Sequence, residues 1–166
     1  MVGIIAAIVG TLAAVAAALI AAYQVHLSRF SLGVDMTLRL DERFESPEFL
    51  KKRCAAAYAI RRKSGSDIED VLDFFESLGL LTRRRALDQG FVYSTFFYWL
   101  HGYASKCQDF IAEQRKQYPA RYGDLVWLHG KLVAIEESRY GPIQESEWDG
   151  FLDDEENLCN EATAAH

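Results

Sequence analysis

The sequence predicts an all-α protein, with one N-terminal transmembrane helix continuing into a cytoplasmic helical bundle of about four or five helices. Three observations predict it. Residues 2–23 contain no charged side chain and, apart from Thr11, only Gly, Ala, Val, Ile, Leu and a final Tyr. Beyond them, apolar residues recur at three- and four-residue spacing between helix-start and helix-stop signals. Residues 141–166 then carry eight acidic side chains and no Lys or Arg, so the acidity of a chain of net charge −6 is concentrated at its end. The chain divides accordingly into a transmembrane anchor (1–23), a stalk helix (24–44), a bundle domain (45–140) and an acidic tail (141–166).

The anchor comes first. At about 1.5 Å of rise per residue the apolar run is long enough to cross a hydrocarbon core of about 30 Å, and only a helix or a closed barrel satisfies its own backbone in lipid. A cleaved signal peptide is the competing reading, since Ala17, Ala18, Ala21 and Ala22 offer small-residue cleavage sites. Against it, no Lys or Arg precedes the run, which also exceeds a signal core of about 7–15 residues. Basic residues near a span favour the cytoplasmic side. Only Arg29 and Arg39 lie close, both after it, which places the N-terminus outside an inner membrane and the domain in the cytoplasm. Cys54, Cys107 and Cys159 are odd in number and widely spaced, so they read as neither a disulfide framework nor a zinc site.

Within the span, Ala6, Gly10, Ala14, Ala18 and Ala22 recur every four residues. Small residues at that spacing let two helices approach closely in lipid, which points to self-association or to docking on another membrane protein. The alternative is an Ala-rich span in which small residues fall everywhere. No ionisable group lies inside, so a proton relay or ion path has no residues to use.

Leu27, Phe30, Val34, Leu38 and Phe44 extend the anchor as a stalk, with a possible bend at Gly33. Ser46-Pro47-Glu48 signals a restart: N-cap, proline at the first position, and an acid where the helix dipole favours it. A second helix should end near residue 63. Ser66 and Glu69 form a capping box for a third, which carries Ile68, Val71, Leu72, Phe75 and Leu78 and should stop at Gly79. Asp88 caps a fourth helix reaching Tyr118, and Pro119 marks a break before a fifth that ends at Gly141-Pro142. The fourth is aromatic on every side, with Phe91, Phe96, Trp99 and Tyr103 on one face and Tyr93, Phe97 and Tyr98 on others. A helix apolar all round is usually buried, so this one is the expected core; a base-stacking platform is the other use of such residues.

Three phrases, LDFFESLGLLTRRRALD (72–88), FVYSTFFYWLHGY (91–103) and DLVWLHGKLVAIEESR (124–139), resemble a family of uncharacterised bacterial helical proteins. That family is a domain of unknown function often found behind a single N-terminal span. The resemblance covers roughly residues 38–139 and implies the helical fold; no activity, cofactor or site residue comes with it.

Candidate chemistry is thin. No Glu stands three positions before any of His26, His101, His129 and His166, as a di-iron bundle requires, and no cysteine has a histidine at zinc-ligand spacing. His101 and His129 read as hydrogen-bonded structural residues, and no metal or cofactor is expected. Glu69, Asp70, Asp73 and Glu76 share one helix side and read as a solvated face. No phosphate-binding glycine loop or nucleophile elbow occurs. Three basic triplets stand out: Lys51-Lys52-Arg53, Arg61-Arg62-Lys63 and Arg83-Arg84-Arg85. Near a membrane each charge can contribute about 1 kcal/mol against anionic lipid, and the same residues could meet an acidic partner or simply be solvated. Nucleic acid is not expected at this net charge without a recognisable module. In the tail, Trp148, Phe151, Leu152 and Leu158 sit at helical spacing, so the segment could dock on a basic groove of its own chain or a partner, or else serve as a disordered solubilising tail.

These readings point to a non-enzymatic, membrane-anchored interaction module, an accessory subunit or adaptor whose partners are membrane lipid and another membrane protein or a second copy of itself. A membrane-associated effector of phage defence or stress response, acting through oligomerisation, is the alternative. An enzyme using His101 or Asp73 is a third.

Overall fold

A computed structural model of the protein describes the backbone of residues 2–64 and 67–164 and the side chains of 15–25, 27–64, 67–144, 146 and 148–159. Among the described residues there are seven α-helices, one 3₁₀ turn and no strand. The fold is all-α.

Helix α1 (Val2–Phe44) is a single helix of 43 residues, which at about 1.5 Å each is about 65 Å long. It runs unbroken through Gly33. The glycine serves a close approach: a Cβ there would lie 3.0 Å from the Ala86 carbonyl oxygen. From this point α1 belongs to the bundle, with Thr37 and Phe44 fully buried. The Phe44 ring is the hub of the core, 5.1–5.9 Å from the rings of Phe49, Phe74, Phe75, Phe96 and Trp99.

Helix α2 (Pro47–Arg61) starts where the Ser-Pro-Glu signal placed it, and the Ser46 hydroxyl accepts from the Phe49 N–H. Helix α3 (Glu69–Arg83) begins after Ile68; Ser66, the cap expected from sequence, lies outside the described residues. Gly79 does not stop it. A Cβ on Gly79 would sit 2.3 Å from the Asp124 carbonyl oxygen, so the glycine lets α3 lie against α6, its most extensive neighbour. Both α2 and α3 end on a basic residue in the left-handed conformation, Lys63 (φ 53°) and Arg85 (φ 59°). The Ala86 N–H bonds to the Leu81 carbonyl and the Arg85 N–H to that of Thr82, the Schellman pattern in which glycine is usual.

The fourth helix of the sequence reading is two helices. Helix α4 (Gln89–Lys106), capped by Asp88, breaks at Cys107 (φ −101°, ψ 13°), and α5 (Gln108–Gln117) follows. Phe96, Leu100 and Tyr103 are fully buried on α4, whereas Phe91, Phe97 and Trp99 are half-buried and Tyr98 is exposed, so the aromatic helix is central to the core but not enclosed on every side. Helix α6 (Gly123–Tyr140) enters through Tyr122, which is left-handed (φ 57°), and the Glu76 carboxylate accepts from the Leu125 N–H at 2.7 Å. A capping acid from another helix thus replaces a local N-cap.

The acidic tail is a folded part of the bundle. After a 3₁₀ turn (Glu145–Trp148), helix α7 (Phe151–Ala164) packs along α2 with Phe151 and Glu155 buried.

Candidate functional site

Two regions gather the residues that could act: the point where α1 leaves the bundle, and the contact between α7 and α2. At the first, every described large apolar side chain from Val15 to Leu32 is more than half exposed: Val15, Leu19, Ile20, Tyr23, Val25, Leu27, Phe30 and Leu32. Among the described residues one helix, near the N-terminus, is long and apolar enough to cross a membrane. Of the small-residue stripe, Ala18 and Ala22 are exposed, whereas the side chains of Ala6, Gly10 and Ala14 lie outside the described residues.

The second region is a buried polar clamp. Arg53 forks onto Glu155, Nε to Oε2 at 3.0 Å and Nη2 to Oε1 at 2.7 Å, while Nη1 reaches Glu45 at 3.1 Å. The Tyr103 hydroxyl donates to Glu155 at 2.6 Å. Arg53 and Glu155 are both fully buried, and the guanidinium lies 4.3 Å from the Phe44 ring centre. Burial alone would lower the Arg53 pKa, but the hydrogen bonds and charge of Glu155 raise it above its usual value. Burial, then Glu155, pushes the Tyr103 hydroxyl well up, so it stays a donor. Around this centre Arg61 pairs with Asp153 and, at 2.6 Å, with Glu156, and Tyr98 donates to Asp154 at 2.7 Å. Phe151 fits over Gly102, where a Cβ would come 2.3 Å from its ring.

A covalent bond closes the same contact. Cys54 and Cys159 form a disulfide across 105 residues of sequence. This corrects the expectation that the three cysteines form no disulfide: pairing needs adjacency in space, and the α2–α7 contact supplies it.

The basic triplets separate. Arg53 is not surface at all, because its place on the stripe with Phe49, Ala56 and Ala57 turns it inward. Arg61 is spent on α7, Lys52 pairs with Asp70 at 3.3 Å, and Arg83 with Asp124 at 2.9 Å while lying over Trp127. Arg62 rests near the Tyr58 ring. Lys51, Lys63, Arg84 and Arg85 are exposed and have no acidic partner among the described residues. Of the tail residues, Phe151 is fully buried, Trp148 and Leu152 pack partly against the core, and Leu158 is 40% exposed.

The histidines meet in space. His129 Nε2 lies 3.0 Å from His101 Nδ1 between α6 and α4, under the Trp148 ring 4.4 Å from His101. Burial, then the charge of His101, lowers His129 to about 4, so the pair is not doubly charged at neutral pH. Two imidazoles make half a tetrahedral metal site. Among the described residues no group of three His, Cys, Asp or Glu side chains converges. Asp73 is raised by burial and by Glu69 and Asp70, with Arg121 opposing. Asp70 and Asp73 are exposed, as a solvated face requires, and the face also carries ties to the fold: Glu69 pairs with Arg121 at 3.0 Å, Asp70 with Lys52, and Glu76 caps α6. A cleft of about 370 Å³ between Ile60, Ile68, Lys106 and Phe110 reaches Cys107, whose thiol burial pushes up to about 12 and so holds protonated.

Sequence reasoning missed the partners of the clamp: Glu45, Tyr103, Glu155 and the cysteine pair. A signal existed. Phe151, Glu155 and Cys159 repeat every four residues and share the face of α7 that is buried. A carboxylate on an apolar stripe announces a buried partner.

The model of one family, Domain of unknown function (DUF4760), matches residues 11–132. The chain belongs to this family. The DUF4760 match takes in α1 from Thr11 onward and the bundle as far as Leu132, and ends before α7, so Glu155, the buried counter-ion of Arg53, comes from outside the matched region while Glu45 lies within it. No curated protein and no solved structure matches the chain.

Proposed function

We propose that this DUF4760 protein is a single-pass, membrane-anchored interaction module without catalytic function, an accessory subunit or adaptor that holds its bundle at a fixed attitude to the bilayer. The observation that carries the reading is α1. Its exposed apolar stretch and the buried hub residue Phe44 lie on one uninterrupted helix. Covering an apolar side chain gains about 1.5–3 kcal/mol, so eight exposed ones on one helix call for lipid or another apolar helix around them. Since the helix that enters the lipid also seats the core, tilt of the span is passed directly to the bundle. A flexible tether would not do this.

The positions of Arg29 and Arg39 favour a cytoplasmic domain on an inner membrane. In that compartment cellular thiols would hold Cys54 and Cys159 reduced, whereas an oxidising compartment would keep the bond closed. Alkylating free thiols in intact cells before lysis separates the two: a closed pair puts the domain on the oxidising side and reverses the orientation.

The test of the module itself is native mass spectrometry of the full-length protein extracted gently from its own membrane. Recovery in a fixed ratio with other subunits supports an accessory role. A protein found in the soluble fraction without detergent overturns the anchored reading, and a stable homo-oligomer with no other subunit moves the weight to the effector.

A further inference from the structure

We infer that the turn after α3, carrying Arg83, Arg84 and Arg85, is a docking surface for anionic lipid headgroups, and that it sets how the bundle stands on the membrane. This rests on the anchored reading above and names the partner of one face. Sequence offers three basic triplets of equal standing, and the structure distinguishes them. In the first two, Arg53 is buried against Glu155, Arg61 meets Asp153 and Glu156 on α7, and Lys52 pairs with Asp70, which leaves Lys51, Arg62 and Lys63 along α2 and at its end. The third stands at the exit of α1.

The position follows from one contact. The Ala86 carbonyl meets α1 at Gly33, immediately after Leu32, the last apolar side chain of α1 that is more than half exposed. Gly33 lies ten residues past Tyr23, about 15 Å along the helix axis. Headgroups extend about 5–7 Å beyond the hydrocarbon on each side, which leaves the turn about 8–10 Å above them before any tilt. That is about one Debye length at physiological ionic strength. Arginine side chains span much of this gap, and Arg29, six residues past Tyr23, lies closer still.

The charges there are available. Arg29, Arg84 and Arg85 are exposed without an acidic partner among the described residues, and Arg83 shares only Asp124. Asp88, three residues past Arg85 in sequence, accepts from the Phe91 N–H at 2.9 Å as the cap of α4. The backbone of the turn is fixed by its Schellman bonds and by the packing of Gly33, so the guanidinium groups project from a rigid platform. Stabilisation of the α3 C-terminus by cations would account for one or two arginines. It does not require the left-handed position to be arginine, where glycine carries no strain.

That conformation supplies a clean variant. Arg85→Gly keeps the left-handed turn and removes the charge, and Arg84→Gln removes the other. Full-length protein is placed in nanodiscs of phosphatidylcholine alone or with one-third phosphatidylglycerol, and trypsin cleavage after Arg84 and Arg85 is timed against cleavage after Arg62 and Lys63 at the end of α2. The expected result is slowing of the Arg84/Arg85 cut by about 10–100-fold in anionic discs at low salt, lost in high salt, with the Arg62/Lys63 cuts unchanged. Native mass spectrometry should show phosphatidylglycerol retained by the parent chain and not by the Arg84→Gln/Arg85→Gly variant. Equal cleavage in both discs, or equal lipid retention by parent and variant, overturns the inference. Protection that needs an added membrane extract rather than lipid also overturns it, in favour of a protein partner. A chain that fails to enter the discs sinks the anchored reading instead, so the two failures are distinguishable.

Discussion

Breaking the Cys54–Cys159 bond should cost the bundle more than any single substitution on its surface. The two residues are separated by 105 positions, so the bond closes a loop around nearly the whole domain. In the chain-entropy account a loop of about 100 residues loses about 4.7 kcal/mol of denatured-state freedom at 25 °C. For a domain of this size about 1 kcal/mol moves the melting temperature by roughly 3–4 °C, which gives a fall of about 15 °C on full reduction. Detergent-solubilised protein, melted by circular dichroism with and without a dithiol reductant, reads this directly, and Cys54→Ala/Cys159→Ala in oxidising buffer should match the reduced parent. Hydrogen exchange adds the location: α7 should lose protection first, because the bond and the Arg53–Glu155 pair are its main ties to α2. A shift under about 2 °C in protein whose bond is verified by mass would refute the loop-closure reasoning.

Other perturbations test the remaining ties. Glu155→Ala leaves the buried Arg53 without its main counter-ion and should destabilise by about 3–5 kcal/mol, read by chemical denaturation, while a paired Arg53→Met/Glu155→Leu change should recover most of that loss. Gly79→Ala forces a methyl against the Asp124 carbonyl and should cost at least about 1–3 kcal/mol, whereas Gly123→Ala, where a Cβ meets open space, should cost little by the same measurement. His129 is held neutral in the fold, with its pKa lowered from 6.5 to about 4, so the unfolded chain takes up the proton first as pH falls. Its contribution is complete above about pH 6.5 and is lost between there and about pH 4, at up to about 1.4 kcal/mol per pH unit. Melting temperatures from pH 7 to 4 should show a slope that His129→Gln reduces; an identical slope in the variant removes the assignment.

The two glycines whose roles changed show why local reading stops where it does. Gly33 and Gly79 suggest a bend and a helix stop because glycine is poor in helix interiors. Both instead admit a neighbouring backbone, the Ala86 carbonyl in one case and the Asp124 carbonyl in the other. Neither neighbour is close in sequence. Arg53 and Glu155 read as surface charges for a related reason, since each lies in a charged stretch and the partner is 102 positions away. The tail followed the same course: its acidic residues argue for solvation until the basic and aromatic face of α2 and α4 is in place to receive them.

Sequence by itself determined what depends on neighbours within a few residues: the apolar run and the stalk that continues it, the restart at Ser46-Pro47-Glu48, the Asp88 cap, the aromatic core helix, the helical fold class and the family. Periodicity, caps and hydrophobic length are local quantities, and a single chain displays them. The tertiary structure decided which charges are buried and which are free, that two of three cysteines meet, that His101 and His129 share a hydrogen bond, and that the Arg83–Arg85 turn stands where α1 leaves the bundle. Each of these depends on the distance between residues far apart in the chain, which side-chain periodicity does not encode and packing around Phe44 fixes.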